Sequence, residues 1–175
     1  MTQSSGSDSE ARPRQTATMS LAEQLSLWGI RAWVGRRMQN QAPCAGFFRA
    51  FKLAGAPQAA DHLADFMSLL SVTAQRCLEI NCPKCPDVTT DEELLIAALT
   101  AAQCDGFGAA SSLLGKLIVP PAIHGSLLEL RRFGRAMSEA GLHFLSDGQG
   151  RQLEMSAWDN KAVVHSPDRG AGLIH

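Results

Sequence analysis

The chain has 175 residues, 45% of them apolar, which is enough for one ordinary domain to bury a core without cross-links. Sixteen basic side chains against seventeen acidic ones leave a formal charge of -1, so no global field recruits nucleic acid or anionic lipid. Five cysteines, three of them between residues 77 and 85, fit a secreted disulfide framework poorly, and every apolar stretch is interrupted long before the roughly 18 residues a membrane span needs.

These features predict a soluble protein with reduced thiols, placed in the cytoplasm. Residues 1–18, "MTQSSGSDSEARPRQTAT", are Ser-rich, lack an apolar segment and read as a disordered tail. Met19 follows at once and is an alternative start to Met1.

Ser20 and Glu23 are spaced as a capping box, so a helix is expected from there. Leu21, Leu25, Trp28 and Ala32 recur on its apolar stripe, and Pro43 ends it near residue 41. Arg31, Arg36 and Arg37 fall off that stripe beside Trp28 and Trp33. Exposed Trp and Arg are enriched at binding hot spots, so Trp28, Trp33, Arg36 and Arg37 are the candidate contacts for a protein partner or for self-association.

"GFFRAFKLAG" predicts a short helix carrying Phe47, Phe48 and Phe51 to the core and stopping at Gly55. Pro57 suits the first turn of the next helix, expected to run to about Ile80 with Leu63, Phe66, Met67, Leu70, Ala74 and Cys77 on one side.

Thr90 and Glu93 have the spacing of a second capping box, with Asp91 and Glu92 in the first turn where the helix dipole favours negative charge. Leu94, Leu95, Ala98, Leu99 and Ala102 form its face up to the Asp105-Gly106 stop. A shorter helix is expected over 108–118 before Pro120-Pro121. A last helix then carries Ile123, Leu127, Leu130, Phe133 and Met137 and closes at Gly141. "ELRRFGRAM" in this helix adds Arg131, Arg132 and Arg135, which read as a solvated face.

The prediction is an all-α domain over residues 19–142, with five or six helices in an orthogonal or bundle-like arrangement. Residues 143–175 alternate apolar runs with turn material and are expected to form a small β-meander or a loose segment.

Between the third and fourth helices lies "CLEINCPKCPDVTTDEELL". Cys82-Pro-Lys-Cys85 admits three readings. Two thiolates at this spacing can grip one zinc ion, and Cys77 could add a third, but no second Cys or His pair completes the tetrahedron. The pair could form a reversible disulfide, with Lys84 between the sulfurs, although the flanking helices differ from the βαβ setting of thioredoxin-like proteins. The favoured reading is a stiff turn between helices, with Asn81 as a left-handed cap and the cysteines as small hydrophobes.

No phosphate loop, dinucleotide fingerprint or nucleophile elbow is present, and no catalytic set can be assembled from the sequence. The stretch resembles an uncharacterised family of short, mostly helical proteobacterial proteins, a domain of unknown function. The resemblance lies in Cys82, Pro83, Cys85, Thr90, Asp91, Glu92, Leu94 and Leu95. It implies a compact helical domain over roughly residues 20–142 and no substrate. The expected function is therefore a non-enzymatic, protein-interacting or regulatory module. The alternative is a zinc-binding or thiol-redox-responsive regulator using Cys82 and Cys85.

Overall fold

The computed structural model describes residues 14–144. Six α-helices follow in order: α1 Leu21–Met38, α2 Ala45–Leu53, α3 Pro57–Thr73, α4 Thr90–Gln103, α5 Phe107–Leu114 and α6 Ile123–Glu139. Short 3-10 turns, Thr16–Thr18 and Pro120–Ala122, precede α1 and α6. Among the described residues there is no strand beyond two isolated bridges, so the domain is all-α. No helix among them is long and apolar enough to cross a membrane. The anticipated β-meander lies outside the described residues.

The first capping box forms: Ser20 Oγ accepts from the Glu23 N–H at 3.3 Å, and Glu23 Oε2 accepts from the Ser20 N–H at 2.8 Å. The buried face of α1, however, is Ala22, Ser26, Leu27, Ile30, Arg31 and Trp33, while Leu21, Leu25, Trp28 and Ala32 are only partly buried. A Cβ on Gly29 would come within 2.8 Å of Leu63 Cδ2, so α1 and α3 approach closely at this glycine.

On α2, Phe47 and Phe51 enter the core but Phe48 remains at the surface, resting edge-on against Phe47 with centroids 5.2 Å apart. Phe51 and Phe133 meet at 6.2 Å, linking α2 to α6.

The expected run of α3 to Ile80 is wrong by two turns, because the helix ends at Thr73. No glycine or proline stops it. Its next backbone groups find partners elsewhere: Val119 N–H donates to Thr73 O at 3.0 Å and Gln75 N–H to Leu117 O at 2.9 Å. Residues 74–89 therefore cross to α4 without regular structure, a length of connection that is uncommon in compact domains unless it has a task.

The second capping box is displaced by one residue from the expected Thr90–Glu93 pair. Thr89 is the cap, its Oγ1 accepting from the Glu92 N–H at 3.1 Å, while Glu92 Oε2 accepts from the Thr89 N–H at 3.0 Å. The doubled Thr-Thr and Glu-Glu make both registers possible locally; the choice is made by Arg31, described below. At the far end α4 stops at the Asp105-Gly106 pair, with Asp105 taking the left-handed conformation, φ 56°. Leu117 and Ile118 are buried after α5 has ended, and α6 closes at Gly141, φ 75°.

Residues 14–18 correct the anticipated tail of 1–18. Thr16 N–H donates to Pro86 O at 2.8 Å, Val88 N–H donates to Arg14 O at 2.9 Å, and Arg14 pairs with Glu23 at 3.0 Å. This arm is laid along residues 86–88; residues 1–13 lie outside the described part.

Candidate functional site

Arg31 is the organising residue of the Cys82–Cys85 turn. It projects from the buried face of α1, 2% exposed, and meets Glu92, which is fully buried in the first turn of α4. Arg31 Nε and Nη2 donate to the two carboxylate oxygens of Glu92 at 2.7 and 2.8 Å. The remaining reach of the guanidinium goes to backbone: Nη1 donates to Cys85 O at 2.6 Å and Nη2 to Asp87 O at 2.7 Å. Glu92 also accepts from the N–H groups of Asn81 at 3.0 Å and Thr89 at 3.0 Å.

A guanidinium fork matched to a carboxylate and to two carbonyls is the geometry that makes a buried charge tolerable. Its hydrogen bonds to Glu92 push the Arg31 pKa above its already high usual value, so the residue stays charged. The expectation that Arg31 shares a basic outer face with Arg36 and Arg37 is thus overturned: the side chain is inside, and paired.

A second ion pair braces the same connection. Asp91, 4% exposed, binds Arg76 through both carboxylate oxygens and accepts from the Glu79 N–H at 2.8 Å. Arg76 first, then the Glu79 N–H, hold the Asp91 carboxyl below the usual carboxylate range. Thr89 Oγ1 donates to Glu79 O at 2.6 Å.

Held in this frame, residues 82–85 close a turn in which Cys85 N–H donates to Cys82 O at 3.0 Å, with Pro83 where its fixed φ suits the turn. The two thiols act on each other across this turn and are thereby made unequal. The Cys85 thiol, assisted by the N–H groups of Lys84 and Cys85 and by the Arg31 charge, lowers the Cys82 pKa. The Cys82 thiol in turn raises the Cys85 pKa, as does its desolvation. Cys82 is exposed and Cys85 half-buried, so the more acidic sulfur is the more accessible one.

The other thiols stand apart. With α3 ending at Thr73, Cys77 is not on a helix one turn behind the pair but in the irregular connection, exposed, and its sulfur does not join Cys82 and Cys85 in a three-ligand set. Asn81 does not take the left-handed conformation expected of it; its side chain donates to Asp87 O at 3.0 Å. Cys104 is the cap at the opposite end of α4. Cys44 precedes α2, where the Phe47 N–H first of all lowers its pKa.

The tryptophans do not form an exposed pair. Trp33 is 6% exposed within the core and Trp28 is half-buried against it. Trp33 and Arg37 line a cleft of about 570 Å³ with Phe48, Asp61 and Asp65, while Arg36 donates to Ala42 O at 3.3 Å. On α6, Arg131 lies over the Phe107 ring at 4.3 Å, Arg132 pairs with Glu129 and Arg135 with Glu139, as a solvated face should.

Reasoning from the sequence missed Arg31 and Glu92. A signal existed: Arg31 follows Leu27 by four residues and Ile30 by one, within an apolar stretch of α1. No family model matches the chain, and no curated protein or solved structure matches it significantly.

Proposed function

We propose that this protein is a non-enzymatic helical regulatory module of the cytoplasm, responsive to thiol redox state through Cys82 and Cys85. One observation carries the reading. The two cysteines close one turn, Cys85 N–H donating to Cys82 O; the Cys85 carbonyl is tied to a buried Arg31, and the exposed member, Cys82, is the more acidic. With glutathione disulfide as oxidant, the Cys82 thiolate attacks one of its sulfurs and releases a glutathione thiolate. Cys85, after losing its proton, attacks Cys82 Sγ and releases the second glutathione. Two electrons and two protons leave the dithiol, and one intramolecular disulfide forms.

The state of the pair is positioned to reach the rest of the domain. Cys85 and Asp87 contact Arg31, and Pro86 and Val88 hold the arm at residues 14–16. A change of turn geometry would therefore be felt by both α1 and the arm, where a protein partner could read it.

The test is a titration of the protein in glutathione buffers of graded redox ratio, with free thiols counted and intact mass measured. Expected is loss of two thiols per chain, with a product two hydrogens lighter, at potentials within the cytosolic range of about -220 to -320 mV. Cys85→Ser should instead accumulate a glutathione adduct at Cys82. If the pair stays reduced throughout, or if zinc co-purifies and blocks both thiols, the redox reading fails.

A further inference from the structure

A different set of side chains carries an inference beyond the redox reading. His62 and Asp65 stand three residues apart on one face of α3, and Glu129 faces them from α6. Their ligand atoms all lie within 4.8 Å of one another, and among the described residues they are the only such group of three or more His, Cys, Asp or Glu. His62 Nδ1 is 3.0 Å from Glu129 Oε2. The other Glu129 oxygen is occupied, accepting from Arg132 Nη1 at 2.8 Å.

That division of labour is what a metal ligand needs. Arg132 fixes the orientation of the carboxylate through Oε1 while Oε2 is directed at the imidazole, as outer partners do around bound metals. Asp65 has no hydrogen bond or ion pair among the described residues, and it is exposed. Two carboxylates and an imidazole converge there, with His62 and Glu129 half-buried and a single guanidinium, Arg132, on Glu129.

We propose that His62, Asp65 and Glu129 bind a first-row divalent transition-metal ion that clips α3 to α6. An imidazole nitrogen beside two carboxylates suits zinc, manganese, cobalt or nickel. Calcium and magnesium take all-oxygen shells. Three protein ligands leave further coordination positions for water.

The experiment titrates the full chain with cobalt(II), following bound metal, the absorption spectrum and the thermal midpoint. Cobalt reports its own ligands, because thiolate coordination produces an intense near-ultraviolet charge-transfer band that nitrogen and oxygen ligands do not. Expected is one cobalt per chain without that band, with a raised thermal midpoint. His62→Ala and Asp65→Asn should each weaken binding by at least about tenfold, the least that even outer-shell losses produce. Cys82→Ser with Cys85→Ser should change nothing. Asp65 is exposed and makes no described bond, so Asp65→Asn stays informative if His62→Ala is poorly folded. Absence of saturable binding, unchanged affinity in Asp65→Asn, or a thiolate band that disappears with Cys82→Ser would each overturn the assignment.

Discussion

Arg31 takes a positive charge into the interior and makes four hydrogen bonds there, two to Glu92 and one each to Cys85 and Asp87. Removing one member of a buried pair strands the other. Arg31→Ala should therefore destabilise the domain by about 3–5 kcal/mol, a large part of the roughly 5–15 kcal/mol that holds a domain together. Equilibrium urea unfolding followed by circular dichroism measures it, and a loss below about 1 kcal/mol would contradict the role given to the pair. Asp91 gives a pH signature of definite sign. Its carboxyl is held below the usual range, so its contribution is complete above the unfolded value of about 3.9 and is lost as pH falls through the folded value. Thermal midpoints should thus drop on acidification below about pH 4 in the wild type. Asp91→Asn should start lower at neutral pH and fall less steeply.

Among the elements, the junction of α4 and α6 is tightly specified by backbone. A Cβ on Gly134 would lie 3.0 Å from Gln103 Cα and 3.3 Å from its backbone nitrogen, atoms that cannot turn aside as a side-chain end could. Gly134→Ala gains about 1 kcal/mol of helix propensity but overpacks the contact, which costs about 1–3 kcal/mol. A net loss of stability in urea is expected, where an exposed helical glycine would show a gain. Gln103 adds to the junction by donating to Gly134 O at 3.2 Å and Leu142 O at 3.0 Å, and by accepting from the Phe144 N–H at 2.8 Å. The connection 74–89 is the opposite case. It has little regular structure of its own, and the Arg31–Glu92 and Arg76–Asp91 pairs hold it in place of a helical ladder.

At the scale of the molecule, α1, the arm at residues 14–18 and the turn at 82–88 form one cooperative corner. Deleting residues 1–18, so that the chain begins at Met19, removes the Thr16–Pro86 and Val88–Arg14 hydrogen bonds and the Arg14–Glu23 pair. At about 1 kcal/mol net for each of the two hydrogen bonds, and less for the partly exposed ion pair, a loss of about 2–3 kcal/mol is expected. The deletion should also speed alkylation of Cys85 by a small iodoacetamide, since the backbone beside it loses its cover. Equal stability and equal labelling rates would show the arm to be energetically idle.

The helices were legible in the sequence wherever local chemistry marks their ends. The Ser20 cap, Pro57, the Asp105-Gly106 stop, the Pro120-Pro121 break and Gly141 each act through bonds or dihedral limits among near neighbours, and each marks a boundary in the structure. An all-α class followed from those signals and the 3.6-residue periodicity. The end of α3, the register of the α4 cap and the burial of Arg31 were decided elsewhere, by partners tens of residues distant. Thr73 stops its helix because Val119 takes its carbonyl, and Thr89 rather than Thr90 is the cap because Glu92 is the carboxylate that reaches Arg31. A cysteine pair is visible in any sequence. Whether its backbone is held, and by which charge, depends on a contact 54 residues apart that only the folded chain creates.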